Sequence, residues 1–478
     1  MNGWRHWVPP AGSIPTLPVP TLEGIGRVHL VGVGGAGMRN LARLLAARGI
    51  AVSGSDLKDS VYLRELDRLG VRVRVGHDPA AVEGAEAVII SSAIGETNPE
   101  FSAAVEQAIP VWRRQQALAA LATGRRAIAV TGTHGKTTTT SMLATVLERA
   151  GADPTYLVGG DLNESGSGAR HGEGDVFVFE ADESDGSHLL MRPWVGVLTT
   201  VDVDHTDLYR GGLEEIVRSF AEFADRAEHV VACGDDPGVV RAVQVSGRTD
   251  VVTYGLETSN AFAVHVDELG PEGARGTLSV DGAEVPLSLA IDGPHNLANA
   301  AAAIAAAGFA GVEPAAAADA LRGFAGVHRR FEFRGAARGA EFFDDYGHTP
   351  TEMAVTVQTA RRREPRRLIA LVQPHRYGRV QSGWRELGAS VAGADLVIVT
   401  DVFGAQQVPI PGVTGKLVVD GVQLAAPGRR TVYLPHRRDV VSFLEHELRE
   451  GDLVVTMGCG DVWMLADAAL ERMRDGRS

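Results

Sequence analysis

The sequence predicts an α/β chain of three successive domains, each with helices packed on a mainly parallel sheet. Three observations carry that expectation. A length of 478 residues divides into roughly three domains of about 150 residues each. Short apolar runs recur along the chain, each closing in a glycine or polar turn ahead of a helix-length pattern, the rhythm of βαβ units. Two of those turns, residues 32–38 and 131–137, are glycine-rich and join a strand to a helix, where such folds hold phosphates. The expected domains are 1–123, with 1–22 as a loose proline-rich lead-in, then 124–326 and 327–478.

Composition narrows the functional classes. An apolar content of 45% supplies several cores. A formal net charge of −14, with no basic stripe, excludes a nucleic-acid partner. No window approaches membrane-spanning length, so no membrane insertion is expected. The N-terminus, MNGWRHWVPPAGSIPTLPVP, has Arg5 as its one basic charge and no apolar core, unlike a signal peptide. Cys233 and Cys459 are the only cysteines, too few for a disulfide framework and in keeping with a reducing cytoplasm. Of 46 basic residues 43 are arginine, so Lys58, Lys136 and Lys416 each carry information.

Residues 27–31 (RVHLV) read as a strand running into Gly32-Val33-Gly34-Gly35-Ala36-Gly37-Met38. A helix is expected from Asn40 to Arg48, stopped by Gly49. The next strand, 50–53, leads to Gly54-Ser55-Asp56 and places an acid about 20 residues beyond the last glycine. Alone, this is the pattern of a Rossmann-like dinucleotide site, but the same turn holds the diphosphate of any nucleotide-linked ligand. Strands at 71–75 and 87–92 complete a small parallel unit.

Residues 127–130 (AIAV) read as a buried strand, followed by Thr131-Gly132-Thr133-His134-Gly135-Lys136-Thr137 and a helix through Arg149, with Gly151 as its stop. Glycines admit backbone N–H groups to phosphate oxygens, and the helix N-terminus adds partial positive charge. In this P-loop pattern the lysine reaches the β/γ-phosphates and the threonine hydroxyl ligands Mg²⁺. The general pattern has a glycine five residues before Gly135, where this chain has Val130. A plain glycine turn is the alternative; Lys-Thr directly after the glycine, on a buried strand, favours a nucleotide.

Downstream, 175–185 (DVFVFEADESD) is a strand delivering a carboxylate cluster, and 195–201 ends in Asp202-Val203-Asp204-His205. Acidic loops are common at surfaces, but two at strand ends beyond a Lys-Thr loop point to Mg²⁺. Residues 230–237 form another strand and turn, and Asp281-Gly282 marks a hairpin within 259–291. Gly293-Pro294-His295-Asn296-Leu297-Ala298-Asn299 opens an alanine-rich helix; the two asparagines share a face, and capping is their plain reading. From about Gly326, strands ending in Asp344-Asp345, Gln373-Pro374-His375-Arg376, Asp401 and Gly458-Cys459-Gly460-Asp461 alternate with helices as a third parallel domain. Its basic groups suit a carboxylate or phosphate, although Arg376 and Arg379 alone decide nothing in so arginine-rich a chain.

Together the segments GVGGAGM, SSAIGETNPE, TGTHGKTTTT, EADESDGS, DVDH, CGDDP, GPHNLAN, HRRFEFRG, DDYGHTPTE, QPHRYGR and GCGDVW, in that order, resemble the Mur ligase family of peptidoglycan biosynthesis. The resemblance covers nearly the whole chain after residue 26 and lies nearest the members that join L-alanine to UDP-N-acetylmuramate. It implies a Rossmann-like N-terminal domain for the UDP-sugar, a P-loop ATPase-like central domain, and a Rossmann-like C-terminal domain that closes over the site with the amino acid. The implied reaction converts ATP, UDP-N-acetylmuramate and L-alanine to ADP, phosphate and UDP-N-acetylmuramoyl-L-alanine. The sugar carboxylate is phosphorylated first, and the amine attacks the acyl phosphate through a tetrahedral intermediate, so catalysis is mainly positioning and charge neutralisation. Mg²⁺ or Mn²⁺ is the implied cofactor, in a cytoplasmic monomer or homodimer.

By that resemblance, Gly34, Gly35, Gly37 and Asp56, with Ser91 and Ser92, hold the UDP-sugar. Gly132, Thr133, His134, Gly135, Lys136, Thr137 and Thr138 hold ATP, with Asn296 and Asn299 at its adenine end and Arg330 completing the nucleotide site. Thr137, Glu180 and His205 ligand the metal. The catalytic set is Lys136, Glu180, His205, Arg330, Asp345 and His348, and Tyr346, His348, Arg376 and Arg379 receive the amino acid. The L-alanine ligases usually read DDYGHHP where this chain has Thr349, as in ligases that add the third residue; the change bears on amino-acid choice rather than on the reaction. Several relatives carry a carboxylated lysine downstream of the Asp-His motif, but here no lysine follows His205 until Lys416, and arginine cannot substitute. A ligase recycling a tripeptide is the nearest rival, but it usually has an aromatic-rich segment where this chain has Asp182-Glu183-Ser184-Asp185-Gly186-Ser187. An NAD-dependent oxidoreductase leaves Lys136-Thr137 unexplained, and a non-catalytic scaffold leaves Lys136, Glu180 and His205 unexplained.

Overall fold

The structure, a computed structural model, describes residues 18–91, 93–163, 165–204, 209, 211–405 and 407–474. Its strands form three sheets. The first holds β1 (Arg27–Val31), β2 (Ala51–Asp56), β3 (Arg72–Val75), β4 (Ala87–Ile90) and β5 (Val111–Arg113), all parallel, in the order β3-β2-β1-β4-β5. β4 is buried throughout and β1 at all but its first residue, which is why both read as near-continuous apolar runs. The order reverses between β1 and β4, and the glycine loop leaves β1 at that switch point, where open α/β sheets bind ligands. The following helix runs Ala36–Ala47, not Asn40–Arg48 as expected. It begins directly after Gly35, an extended N-cap with φ −68° and ψ 145°, because the loop's glycines leave no spacer before the first turn.

A buried carboxylate ties this sheet together behind the loop. Glu100 accepts from Ser55 Oγ at 2.5 Å, His77 Nδ1 at 3.1 Å and the Asp78 amide at 3.1 Å, with His29 Nε2 at 3.5 Å. Burial alone raises a carboxyl's pKa, but the hydrogen bonds from His29 and Ser55 outweigh it and bring Glu100 from an ordinary 4.5 to about 2. A folded pKa below the unfolded one stabilises the fold above about pH 4.5 and loses that stabilisation as pH falls towards 2. Glu100→Gln is therefore expected to flatten the stability–pH slope between pH 4.5 and 2, followed by denaturant unfolding at each pH; an unchanged slope would remove Glu100 from this role.

The second sheet contains β6 (Arg126–Thr131), β7 (Thr155–Leu157), β8 (Ala169–Arg170), β9 (Val176–Glu180), β10 (Val195–Leu198), β11 (His229–Cys233), β12 (Val251–Gly255), β13 (Phe262–Gly270), β14 (Gly273–Val280) and β15 (Ala283–Leu289). Their order is β15-β14-β13-β12-β11-β10-β6-β9-β7-β8. β6 lies between β10 and β9, parallel to both, so the loop leaving it opens mid-sheet. Asp281 and Gly282 both take positive φ, 49° and 76°, and join antiparallel β14 and β15 as the hairpin signal predicts.

The third sheet contains β16 (Glu332–Ala337), β17 (Ala340–Asp345), β18 (Arg367–Val372), β19 (Leu396–Val399), β20 (Arg430–Tyr433) and β21 (Asp452–Met457), ordered β16-β17-β21-β18-β19-β20. It is not wholly parallel. β16 pairs antiparallel with β17 through Arg338-Gly339, both at positive φ, and a two-residue turn can join strands only that way. The chain groups into two compact units, 1–268 with 273–325, and 269–272 with 326–478. The first unit carries the first sheet and the second, apart from residues 269–270 at the end of β13; the second unit carries the third sheet. Within the first unit, Arg39 Nη2 reaches Asp161 Oδ2 at 2.6 Å, Asn40 Nδ2 the Val158 carbonyl at 3.1 Å and Arg43 Nη1 Ser167 Oγ at 2.9 Å. These bonds join the helix behind the first glycine loop to the β7–β8 segment.

Candidate active site

The loop after β6 owes its shape to two glycines. Gly132 sits at φ +139°, and a Cβ there would run into Thr199 Oγ1. Gly135, at φ +83°, caps the helix Lys136–Arg149, and a Cβ there would lie 2.9 Å from Asn299 Oδ1. The turn beyond β10 holds the loop in place. The amides of Thr133 and His134 donate to the Thr200 carbonyl and Oγ1, both at 2.8 Å, and the Asp202 amide donates to Thr133 Oγ1 at 2.9 Å. His134 Nε2 lies 3.4 Å from Asp202 Oδ2. Thr133 and His134 thus serve the loop's shape. The donors left for a ligand's phosphates are the first-turn amides of Lys136, Thr137 and Thr138, which have no intrahelical acceptor.

Lys136 Nζ is buried in an oxygen cage. It donates to the Gly132 carbonyl, to the Thr133 carbonyl at 3.4 Å and to Glu183 Oε2 at 2.8 Å. Burial lowers an ammonium's pKa, but Glu183, Asp182 and Glu180 together overcome it and keep Lys136 protonated. Burial pushes the Glu183 carboxyl up to about 7 against the pull of Lys136, so Glu183 is the member of the pair that gives up its charge first. Thr137 Oγ1 donates to Glu180 Oε2 at 2.9 Å, and the Gly159 amide donates to the same oxygen at 3.0 Å. A Cβ on Gly159 would collide with that carboxylate. A hydroxyl and a carboxylate side by side form an oxygen donor set, which fits a hard cation such as Mg²⁺ or Mn²⁺. His205 lies outside the described residues.

Asn296 and Asn299 do not cap their helix, Pro294–Phe309, whose N-cap is Gly293 with no side-chain bond. Asn296 Nδ2 donates to the Asp292 carbonyl at 2.7 Å, and Asn299 Oδ1 accepts from Thr139 Oγ1 at 3.2 Å. Both are buried, and Asn299 stands against Gly135 of the phosphate loop. At the first loop, Asp56 Oδ2 accepts from the Gly34 amide at 2.9 Å. A Cβ on Gly32 would lie 3.0 Å from Ser91 Oγ, and one on Gly37 would lie 2.9 Å from Arg114 Nη1. Gly34, Gly35, Gly37, Asp56 and Ser91 therefore gather at the switch point, with Arg114 as a cation the sequence reading passed over. Ser92 lies outside the described residues.

In the second unit the expected residues gather at the carboxyl ends of β17, β21 and β18, which are neighbours in that order. Asp345 is buried and accepts from the Phe331 amide at 2.9 Å, the Gly347 amide at 2.8 Å and Thr356 Oγ1 at 3.0 Å. Burial raises its pKa and Arg330 opposes the rise. It thereby pins the chain just after Arg330, while the Tyr346 amide donates to the Arg329 carbonyl at 2.7 Å on the other side; Arg329 and Phe331 take positive φ, 62° and 46°. Arg330 lies 5.3 Å from the Tyr346 ring centroid and 3.9 Å from Glu352. His348 and His375 meet edge to face at 5.3 Å, and Arg379 Nη1 reaches His375 Nδ1 at 3.0 Å. Arg376, at φ +62°, heads the helix Tyr377–Val391.

Thr349 turns out to be the N-cap of the helix Pro350–Arg362. Its Oγ1 accepts from the Glu352 amide at 3.3 Å, while Glu352 Oε2 accepts from the His348 and Thr349 amides at 3.0 and 3.1 Å, a capping box with proline at the first helical position. The position that departs from the family pattern thus has its side chain occupied with its own helix. Sequence reasoning also missed Glu183 and Arg329. The first lay within the acidic cluster already noted, and the second beside Arg330 in HRRF.

A strand–glycine-loop–helix with a buried lysine, next to a threonine–carboxylate pair, defines a nucleotide-phosphate-binding α/β protein. Three family models match the chain in sequence order: the Mur ligase family catalytic domain over 27–126, the Mur ligase middle domain over 130–307 and the Mur ligase glutamate ligase domain over 329–460. The chain belongs to the Mur ligase family. It is 42% identical to the UDP-N-acetylmuramate–L-alanine ligase of Thermobifida fusca over 474 residues, covering 96% of this chain and 99% of that one. It is 44% identical to the protein of the same name from Kineococcus radiotolerans over 463 residues, covering 94% and 97%. Among solved structures, the UDP-N-acetylmuramate–alanine ligase of Thermotoga maritima matches with a TM-score of 0.80 at 26% identity, covering 94% of this chain and 100% of that one. A murein peptide ligase from Psychrobacter arcticus matches with a TM-score of 0.71 at 24% identity over 94% and 99% of the two chains, a likeness of fold alone.

Proposed function

We propose that the protein is an ATP-dependent ligase that joins L-alanine to UDP-N-acetylmuramate in peptidoglycan biosynthesis, releasing ADP and phosphate. The observation that carries this reading is the phosphate loop, in which Lys136 is caged beside the Thr137–Glu180 pair. Relatives named for that reaction, at 42% and 44% identity over nearly the whole chain, support the choice of substrates. In this reading the triphosphate takes up the first-turn amides, and Lys136 exchanges its loop carbonyls and Glu183 for the γ-phosphate. Thr137 and Glu180, with His205, hold Mg²⁺ or Mn²⁺, which when bound neutralises charge on phosphate oxygens. Gly34, Gly35, Gly37, Asp56, Ser91 and Ser92 seat the UDP-sugar, and Asp56 keeps the loop in register through the Gly34 amide.

A carboxylate is a poor electrophile, so phosphorylation of the sugar carboxylate precedes attack by the amine. Arg376 and Arg379 clamp the amino-acid carboxylate, which suits small acceptors that offer little else to grip. The His348 Nδ1 donates to the Tyr346 carbonyl at 3.2 Å, which orients the imidazole as the base that takes the amine's proton. Asp345 positions Arg330 for the nucleotide. No described helix is long and apolar enough to cross a membrane. A cytoplasmic monomer or homodimer, with domains at 1–123, 124–326 and 327–478, is part of the same reading.

Phosphate release from ATP with UDP-N-acetylmuramate, screened against each amino acid and the tripeptide, tests it. L-alanine is expected to give the highest kcat/KM, since Thr349 is committed to its helix cap. A higher value for the tripeptide would make the protein a recycling ligase, and a rate independent of UDP-N-acetylmuramate would reject both.

A further inference from the structure

We propose that His348, His375 and Cys459 form a binding site for a soft divalent cation of the Zn²⁺ class, distinct from the oxygen site at Thr137 and Glu180. The three residues follow three adjacent parallel strands: His348 lies beyond β17, Cys459 beyond β21 and His375 beyond β18. One side-chain ligand atom from each lies within 4.8 Å of the other two. Tetrahedral Zn²⁺ with nitrogen and sulfur ligands needs them roughly 3.4–3.6 Å apart, a gap that modest side-chain rotation closes. Two imidazoles and a thiolate are a soft donor set that selects Zn²⁺ over Mg²⁺, and three protein ligands leave a fourth position open.

The surroundings prepare His348 for this role. Its Nδ1–H donates to the Tyr346 carbonyl at 3.2 Å and lies 3.6 Å from Glu352 Oε2, outer contacts of the kind that orient a metal-binding imidazole. The thiol of Cys459 is pushed up to about 12 by burial, with Arg379 and Arg329 opposing and Glu352 adding to the rise. Binding must therefore displace its proton: the S–H bond breaks, the sulfur pair goes to the metal and one H⁺ leaves to solvent. His375 holds Arg379 Nη1 at 3.0 Å through Nδ1, and coordination by either ring nitrogen ends that acceptor role. The cation thus competes with Arg379 for His375 and occupies His348. The resulting inhibition of the ligase rests on the proposed function; the site itself does not.

The test uses the full chain in saturating Mg²⁺, with Co²⁺ as probe. One equivalent of Co²⁺ should give a thiolate-to-cobalt band and an intense tetrahedral visible spectrum, retained in Cys233→Ala and bleached by one equivalent of Zn²⁺. Since Cys233 is the only other cysteine, the band in that variant must come from Cys459. Cys459→Ala and Cys459→Ser should lose the band, and the Zn²⁺ concentration for half-inhibition should rise more than about 100-fold, beyond what outer-shell contacts cost. A wild-type protein with no thiolate band in excess Co²⁺, or a band surviving in Cys459→Ala, would overturn the site. Equal Zn²⁺ inhibition of Cys459→Ala and wild type would overturn the inhibitory link. A protein that shows the band yet forms no product with L-alanine would keep the metal site and reject the functional reading.

Discussion

Lys136→Ala is expected to lower turnover at least about 10³-fold, the scale on which a single cation stabilises phosphoryl transfer. Binding of the UDP-sugar, measured by calorimetry, should change little, because its glycine loop leaves a different sheet. Lys136 neutralises part of a cluster of three acids, so its removal leaves the repulsion of Asp182 on Glu183 unopposed. Glu183 relieves that repulsion by taking a proton, since burial already holds its carboxyl at about 7. The variant should therefore fold near neutral pH, and adding Glu183→Gln should not lower its stability further. Loss of both turnover and UDP-sugar binding would point to misfolding or to a wrong assignment of the two loops.

Arg329→Ala is expected to destabilise the second unit by about 3–5 kcal/mol, the cost of leaving a buried charge without its partner. Arg329 Nε donates to Asp344 Oδ2 at 2.8 Å, Nη1 to the Gly460 carbonyl at 3.1 Å and Nη2 to the Gly458 carbonyl at 2.6 Å. Asp344 is fully buried, and burial raises its pKa against the pull of Arg329. One guanidinium thus links the first residues after β21 to the end of β17 and to the HRRF segment. In calorimetry the transition of that unit should fall by about 10 °C. Arg329→Lys should recover only part of the loss, because a point charge cannot serve three acceptors in a fixed fork. A melting profile unchanged by Arg329→Ala would contradict this role.

How far the sequence reveals the fold depends on what each element needs. β6 and β9 are legible because buried parallel strands must be apolar along their length, and the phosphate loop because close approach of backbone to phosphate demands glycines and a lysine at set offsets. The start of the helix at Ala36 was hidden, since Gly35 caps it through backbone conformation without a side-chain signal. The antiparallel β16 edge was hidden too, because Arg338 adopts positive φ in a turn usually marked by asparagine or aspartate. In the site, acid clusters announce themselves, but which acid meets Lys136 depends on the turn after β9. That turn sets Glu183 rather than Glu180 against the ammonium. Asn299 shows the same limit. Its spacing from Asn296 predicts a shared helix face, but only the packing of Pro294–Phe309 on Lys136–Arg149 places it against Gly135.

The most direct test of the ligase reading follows oxygen from the sugar carboxylate. UDP-N-acetylmuramate labelled with ¹⁸O in both carboxyl oxygens is turned over with ATP, Mg²⁺ and L-alanine, and the released phosphate is analysed by mass spectrometry. Activation through an acyl phosphate predicts one ¹⁸O in each phosphate released, because the carboxylate oxygen that attacks the γ-phosphorus departs with it when the amine adds. Unlabelled phosphate, formed as fast with L-alanine as without it, would mean that water attacks ATP and that the loop around Lys136 does not activate a carboxylate.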